Sequence, residues 1–234
     1  MSTVLLVRHG LTAMTGPVLA GRTPGVHLDE RGQGQAAAVA ARIAAVPLAA
    51  IVTSPLERCV DTADYIQASQ EAAGRELQVV TDERLIECGY GDWTGKALKD
   101  LVKEPLWKTV QGQPSAVRFP GGESLSEVYA RSVTAIRDWD AKLGHDAVWV
   151  ACSHGDVIKT ILADALGLHL DQFQRIVVDP CSVSVVRYTD TRPYVLRSND
   201  VGGDLAAFAP PAKKSRRRTR SDATVGGGAG SGSV

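Results

Sequence analysis

Short apolar runs alternate with amphipathic stretches over the first 200 residues of the chain. The runs at 4–7, 50–53 and 148–152 are rich in β-branched residues, and a helical pattern follows each of them. Such short, continuously apolar segments predict strands buried on both faces, as in a parallel sheet. Between the first two runs, Asp29 precedes apolar residues at helical spacing, including Ala36, Val39 and Ile43, which predicts a capped amphipathic helix.

Helix starts and stops divide the rest of the chain. Ser54 and Glu57 form a capping-box pattern around Pro55, and Ser124 and Glu127 form a second one that opens a long helix ending at Gly144. A further helix is predicted from 155 to about 166, and strands at 78–81, 183–188 and 194–197, whereas 97–111 predicts a broken helix. We therefore expect a single three-layer α/β domain with a mostly parallel central sheet and helices on both faces.

Beyond residue 202 the composition changes to Gly, Ala, Pro, Ser and basic residues. This composition cannot bury enough apolar surface to offset the entropy of ordering, so 203–234 is predicted to be a disordered tail. A solvated cationic tail is the preferred interpretation and a nucleic-acid-binding arm the alternative, both resting on Lys213, Lys214, Arg216, Arg217, Arg218 and Arg220. These six are among the 26 basic residues of the chain, and Asp222 is the one acidic residue of 26 that lies beyond position 212. Residues 1–212 therefore contain 20 basic and 25 acidic residues, a net charge of −5.

The N-terminal apolar run is too short for a signal peptide or a membrane span, so a cytoplasmic protein without a membrane partner is expected. The four cysteines show no C-x-x-C spacing and are expected to be reduced thiols. No group of residues has the spacing of metal ligands, so neither a metal nor a cofactor is expected.

Three short polar segments follow predicted parallel strands. Arg8, His9 and Gly10 end the first, Ser54 to Arg58 follow the second, and Ser153, His154 and Gly155 follow a later one. Open α/β sheets bind ligands at the edge where the carboxyl ends of their strands meet. Two histidines, two arginines and helix N-termini at that edge suit a dianionic phosphate.

The same segments carry a family resemblance that covers residues 3 to about 200. In order, the chain contains Val7-Arg8-His9-Gly10-Leu11-Thr12, Leu28-Asp29-Glu30-Arg31-Gly32, Thr53-Ser54-Pro55-Leu56-Glu57-Arg58, Leu85-Ile86-Glu87 with Tyr90-Gly91-Asp92-Trp93-Thr94-Gly95, Pro120-Gly121-Gly122-Glu123-Ser124, and Ser153-His154-Gly155. This ordered set resembles the phosphoglycerate-mutase-like histidine phosphatases. The resemblance implies a phosphoglycerate-mutase-like fold over 1–202 and phosphoryl transfer without a metal.

Residue roles follow from the resemblance, position by position. His9 matches the nucleophile that becomes a phosphohistidine, and Arg8, Arg58 and His154 match the groups that hold the phosphoryl oxygens. Glu87 matches the proton donor to the leaving oxygen. As substrate-binding residues, the resemblance implies Gly21, Arg22 and Gly155. Glu83 is the competing carboxylate, at a position where the family has no catalytic group.

Hydrolysis of a small phosphate monoester is the preferred function, and a phosphoglycerate mutase or other phosphomutase primed by a bisphosphate is the alternative. The resemblance implies three features for mutases of this family. They have a long insertion between the catalytic glutamate and the Gly-Gly-Glu turn, an arginine directly after that glutamate, and a tryptophan and asparagine after the RHG segment. Here the insertion is short, Cys88 follows Glu87, and Met14 and Thr15 stand at the other two positions. Arg84, Arg118 and Arg131 are candidates for a substrate carboxylate. Nucleic acid is not the expected partner, and a homo-oligomer is left open.

Overall fold

A computed structural model describes residues 2–203 together with Gly226 and Gly228. Its centre is a six-stranded sheet in the order β3-β2-β4-β1-β5-β6. Strands β1 to β4 run parallel to one another, β5 pairs antiparallel with β1, and β6 pairs antiparallel with β5. The strands are β1 (Ser2–Arg8), β2 (Ala50–Thr53), β3 (Val79–Thr81), β4 (Ala147–Ser153), β5 (Val183–Tyr188) and β6 (Pro193–Asp200). The mostly parallel sheet predicted from the apolar runs is confirmed.

Helices cover both faces of this sheet. They are α1 (Glu30–Ile43), α2 (Glu57–Ala72), α3 (Leu98–Leu101), α4 (Pro105–Gly112), α5 (Leu125–Leu143) and α6 (Gly155–Ala165), with 3₁₀ turns at Glu83–Leu85, Gly91–Trp93, Pro114–Ala116 and Leu170–Arg175. One hydrophobic core joins α1 and α2 to side chains such as Leu5, Ile51 and Val150. The other joins α5 and α6 to Leu6, Val52 and their neighbours on the opposite face. Side chains that alternate along a strand thus feed both cores, which gives the three-layer domain.

Two of the three predicted helix caps are present. Asp29 accepts a hydrogen bond from the Gly32 amide, and Ser124 and Glu127 form the reciprocal capping box. The capping box predicted at Ser54 is wrong. Helix α2 begins at Glu57 with Leu56 as an N-cap that lacks a side-chain hydrogen bond, because the Ser54 hydroxyl faces a histidine of the site described below.

Helix α1 approaches the segment after β1 very closely. A Cβ placed on Gly32 would lie 2.0 Å from the Leu11 carbonyl oxygen, and one on Gly10 would lie 2.7 Å from the Gly32 carbonyl oxygen. Only glycines allow two backbones to meet at this distance. The contact fixes residues 10 and 11 against the start of α1, directly beside the end of β1.

Most of the tail predicted at 203–234, including the basic run, lies outside the described residues; Gly203 is exposed at the end of the main range. The broken helix predicted at 97–111 is present as α3 and α4. No helix within residues 2–203 is long and apolar enough to cross a membrane. The cysteines, all within that range, are free and buried.

Candidate active site

The pairing of β1 with β4 brings the two histidines together. Arg8 is in register with Ser153, and the His9 amide donates to the Ser153 carbonyl at 3.0 Å. The imidazole rings of His9 and His154 therefore follow adjacent strands at the same sheet edge, with ring centroids 5.2 Å apart in an edge-to-face arrangement. The prediction that these segments converge is confirmed in its geometry.

The His9 ring is oriented by a hydrogen bond through one of its two nitrogens. Its Nδ1 lies 2.7 Å from the Gly10 carbonyl oxygen, which can only accept, so Nδ1 carries the proton and Nε2 keeps its lone pair. Burial lowers the pKa of His9 well below its usual range, and the charges of Arg58 and Arg8 lower it further. The imidazole is therefore neutral near pH 7 and suited to act as a nucleophile.

Two buried arginines lie beside His9. Arg58, in the first turn of α2, points its Nε at His9 Nε2 at 3.3 Å and donates from Nη2 to the Gly21 carbonyl at 2.7 Å. Arg8, at the end of β1, donates from Nη1 to the Val178 carbonyl at 2.8 Å. Their guanidinium groups hold positive charge inside a largely desolvated site, where an anion is bound most strongly.

His154 is fixed by partners on both ring nitrogens. Arg58 Nη2 lies 3.3 Å from Nδ1, and the Ser54 hydroxyl lies 2.7 Å from Nε2. Because the arginine can only donate, Nδ1 accepts and Nε2 carries the proton toward Ser54. Burial, with the charge of Arg58 as the next cause, lowers the pKa of His154 well below its usual range. Ser54 was missed as a positioning residue because its sequence pattern is also that of a helix cap.

Glu87 lies in the irregular segment after β3, and its loop is held by arginines. Its carbonyl accepts from Arg22 Nε at 2.8 Å and from Arg131 Nη2 at 3.2 Å, and its own Oε1 accepts from the Cys88 amide at 2.9 Å. Burial, followed by the charge of Asp156, raises the pKa of Glu87 to about 7. Glu83, the competing carboxylate, is exposed.

Asp156 is a buried carboxylate that was not predicted for the site. It lies in the first turn of α6, where its Oδ2 accepts from the Tyr90 hydroxyl at 2.8 Å and its Oδ1 lies 3.6 Å from Lys159 Nζ. An aspartate in a first helical turn is a common feature of helices, so the local pattern does not single out Asp156. Its position two residues after His154 is the signal that could have identified it.

The pocket beside His9 comprises about 400 Å³ of space, part of which is open to solvent. Its wall combines the catalytic candidates Arg8, His9, Arg58 and Glu87 with residues of the 12–21 loop and of neighbouring segments, namely Thr12, Thr15, Gly16, Val18, Leu19, Ala20, Gly21, Tyr90, Leu98, Gly226 and Gly228. Gly21, predicted to bind substrate, lies in this wall. Arg22 instead pairs with Glu123 at 2.7 Å, and Gly155 begins α6; neither is among the wall residues.

The three arginines considered for a substrate carboxylate are engaged elsewhere. Arg84 pairs with Asp82 and Asp138, and Arg118 pairs with Glu127. Arg131 pairs with Glu123 at 3.0 Å and also donates to the Arg84 and Glu87 carbonyls. These contacts support the loop that carries Glu87.

A neutral, buried imidazole with Arg58 at its Nε2 shares one pocket with a carboxyl group whose pKa is about 7, an arrangement suited to phosphoryl transfer. A family model described as histidine phosphatase superfamily, branch 1, matches residues 4–201. The chain belongs to this superfamily.

Relatives share nearly the whole domain. Phosphoserine phosphatase 1 of Hydrogenobacter thermophilus is 30% identical over 205 residues, covering 85% of this chain and 92% of that protein. A probable phosphoglycerate mutase of Cronobacter sakazakii is 32% identical and covers 91% and 97%. The structure of a mycobacterial glucosyl-3-phosphoglycerate phosphatase has a TM-score of 0.75 at 25% identity, covering 85% of this chain and 98% of that one. Membership and phosphatase relatives identify the chain as an enzyme of the phosphomonoesterase kind.

Proposed function

We propose that this chain hydrolyses a small phosphate monoester in two steps, through a phosphohistidine on His9. The observation that carries the proposal is the state of His9 itself. Its Nδ1–H is bound to the Gly10 carbonyl, its Nε2 lone pair is directed toward Arg58 in the pocket, and its surroundings keep the ring neutral. A neutral ring is the form that can attack phosphorus.

In the first step His9 Nε2 forms a bond to phosphorus as the bond to the ester oxygen breaks. Arg8 and Arg58 hold the three remaining oxygens, whose charge changes little in a loose transition state, and His154, whose Nδ1 accepts from Arg58 Nη2, positions that arginine. Glu87 gives its proton to the leaving oxygen, since a carboxyl with a pKa of about 7 is still protonated in a large fraction of molecules at neutral pH. In the second step Glu87, now a carboxylate, takes a proton from water, which displaces His9 from phosphorus.

Hydrolysis is favoured over a mutase reaction by the contacts around the pocket. Arg84, Arg118 and Arg131, which could have bound a phosphoglycerate carboxylate, are paired with acidic side chains. Relatives named for phosphoserine and glucosyl-3-phosphoglycerate support a small phosphorylated metabolite as the substrate. We include in the proposal a cytoplasmic location and a reaction that needs neither metal nor cofactor, and a homo-oligomer stays open.

The test is to trap the intermediate. Enzyme quenched during turnover of a ³²P-labelled monoester should carry acid-labile, base-stable phosphate on His9. His9→Ala should lose the label, whereas His145→Ala, at an exposed histidine, should retain it. Label on a serine or cysteine would refute the proposal. Formation of 2-phosphoglycerate from 3-phosphoglycerate and a bisphosphate primer, without release of inorganic phosphate, would establish the mutase alternative.

A further inference from the structure

Gly226 lines the pocket and contacts two buried charged groups, one of which, Arg8, also lines it. Its carbonyl accepts a hydrogen bond from Arg8 Nη2 at 3.2 Å, and its amide donates to Asp156 Oδ2 at 3.1 Å. Gly228 lines the same pocket. A single peptide segment from far along the chain thus satisfies an arginine donor and a carboxylate acceptor at the place where a phosphate ester would bind.

Glycine is required for this fit. Gly226 and Gly228 both have positive φ, 75° and 58°, in the region that side-chain-bearing residues rarely adopt. A Cβ on Gly226 would also lie 3.2 Å from Leu19 Cδ1 and 3.8 Å from the Tyr90 hydroxyl. The sequence Gly226-Gly227-Gly228 is therefore suited to a narrow pocket that excludes side chains.

Two buried groups gain from this contact. Arg8 and Asp156 are each almost fully buried, so their hydrogen bonds to the segment add to those they already make away from water. The neutral glycine peptide offers one acceptor and one donor. A dianionic phosphate would form stronger, charge-assisted bonds with the same arginine, so it can displace the peptide but has to compete with it.

We propose that the pocket is also a binding site for the chain's own segment at Gly226 and Gly228, which competes with the phosphate ester for Arg8. The 23 residue steps from Gly203 to Gly226 can span up to about 75 Å when extended, so the segment can reach the pocket of its own chain. The proposal needs only a pocket that binds phosphate, and it holds whether or not His9 becomes phosphorylated.

Competition predicts a change in affinity. If the segment occupies the pocket for about 70 to 90% of the time, the apparent Kd for phosphate is raised roughly three- to tenfold over the free site. In the full chain, Gly226→Val should therefore bind inorganic phosphate roughly three- to tenfold more tightly by calorimetry. The matched control is Gly74→Val, since Gly74 has a φ of 76° but has no atom within 4 Å of a built Cβ. This variant should bind phosphate as the unchanged chain does.

A second measurement detects the contact without any ligand. In the full chain labelled with ¹⁵N-glycine, the resonance that disappears in Gly226→Val should show slowed amide exchange, because its N–H is bound to Asp156 inside the pocket. Added phosphate should speed this exchange. An unprotected Gly226 amide in the phosphate-free chain, or equal phosphate affinity in Gly226→Val and the unchanged chain, would overturn the proposal. If the unchanged chain hydrolyses no phosphate monoester but its Gly226 amide is protected, only the hydrolytic function is refuted.

Discussion

Replacing Asp156 by asparagine removes one negative charge near Glu87 and keeps the size of the side chain and an oxygen that can accept from Tyr90. The pKa of Glu87 is about 7 against an ordinary value of 4.5, and the charge of Asp156 is the second cause after burial. Asp156 therefore raises the pKa of Glu87 by less than burial does, and we expect the pKa of Glu87 to be lower by roughly one pH unit in Asp156→Asn, equivalent to about 1.4 kcal/mol.

The sign of the effect on activity follows from the role of Glu87 as an acid. Activity toward an alkyl phosphate should fall as the pH rises through the pKa of Glu87, near pH 7 in the unchanged enzyme. In Asp156→Asn, the midpoint of this fall in activity should lie at about pH 6. At about pH 7, kcat/KM should then be about fivefold lower than in the unchanged enzyme, because fewer molecules hold a protonated Glu87. The acid limb of the pH profile is set by ionisation of the substrate phosphate, so it should be the same for both enzymes.

The assay is the pH profile of kcat/KM from about pH 5 to about pH 9, which reports groups of the free enzyme and free substrate. Tyr90→Phe is the control, because it removes the hydrogen bond to Asp156 and leaves the negative charge in place. Its midpoint on the alkaline side should match that of the unchanged enzyme. An unmoved or raised midpoint in Asp156→Asn, or an equal displacement in Tyr90→Phe, would refute the electrostatic reasoning.

Three further results are expected. Glu87→Ala should lower kcat/KM roughly a hundredfold for an alkyl phosphate and much less for p-nitrophenyl phosphate, because the leaving group of the second ester needs no proton. Glu83→Ala, at an exposed carboxylate, should lower kcat/KM only slightly for either ester. Equal losses for the two esters in Glu87→Ala would contradict an acid role. Activity should survive a chelator and fall with vanadate, and restoration by one specific metal ion would contradict the metal-free mechanism. In urea unfolding, Gly32→Ala should lower the free energy of unfolding by about 2 kcal/mol or more, because the added Cβ clashes with Leu11. Gly34→Ala, where the added Cβ meets open space, should raise it by up to about 1 kcal/mol. Equal effects of the two substitutions would exclude the close backbone contact as the cause.

The strands and their common edge could be predicted because their signal is local and strong. A run of β-branched residues followed by a polar segment indicates both a buried strand and the point where it ends. These local patterns place His9, Arg58 and His154 at one edge, and the family resemblance adds Glu87. The structure brings His9, Arg58 and Glu87 around one pocket, and His154, outside the wall residues, contacts Arg58.

Contacts between distant segments could not be predicted in the same way. Ser54 has the local pattern of a cap, but it is bonded to His154, 100 residues away. Arg22 was assigned to the substrate, whereas its partner is Glu123, 101 residues away. Composition alone gave no indication that Gly226 would contact Arg8. In each case the residue has two chemically reasonable partners, and only the packing of the whole chain selects between them.

The pairing of β1 with β4 also has a consequence for the folding of this enzyme. The nucleophile is near the start of the chain, and its neighbouring strand begins only at Ala147. During synthesis at about 5 to 20 residues per second, His9 therefore waits on the order of ten seconds or more before the rest of its site exists. Because the central strand pairs only with distant partners, its closure is expected to be a slow, late event. Recovery of activity during refolding should thus lag behind the formation of helices, and a partly folded or truncated chain should present the nucleophilic histidine without the groups that make it reactive.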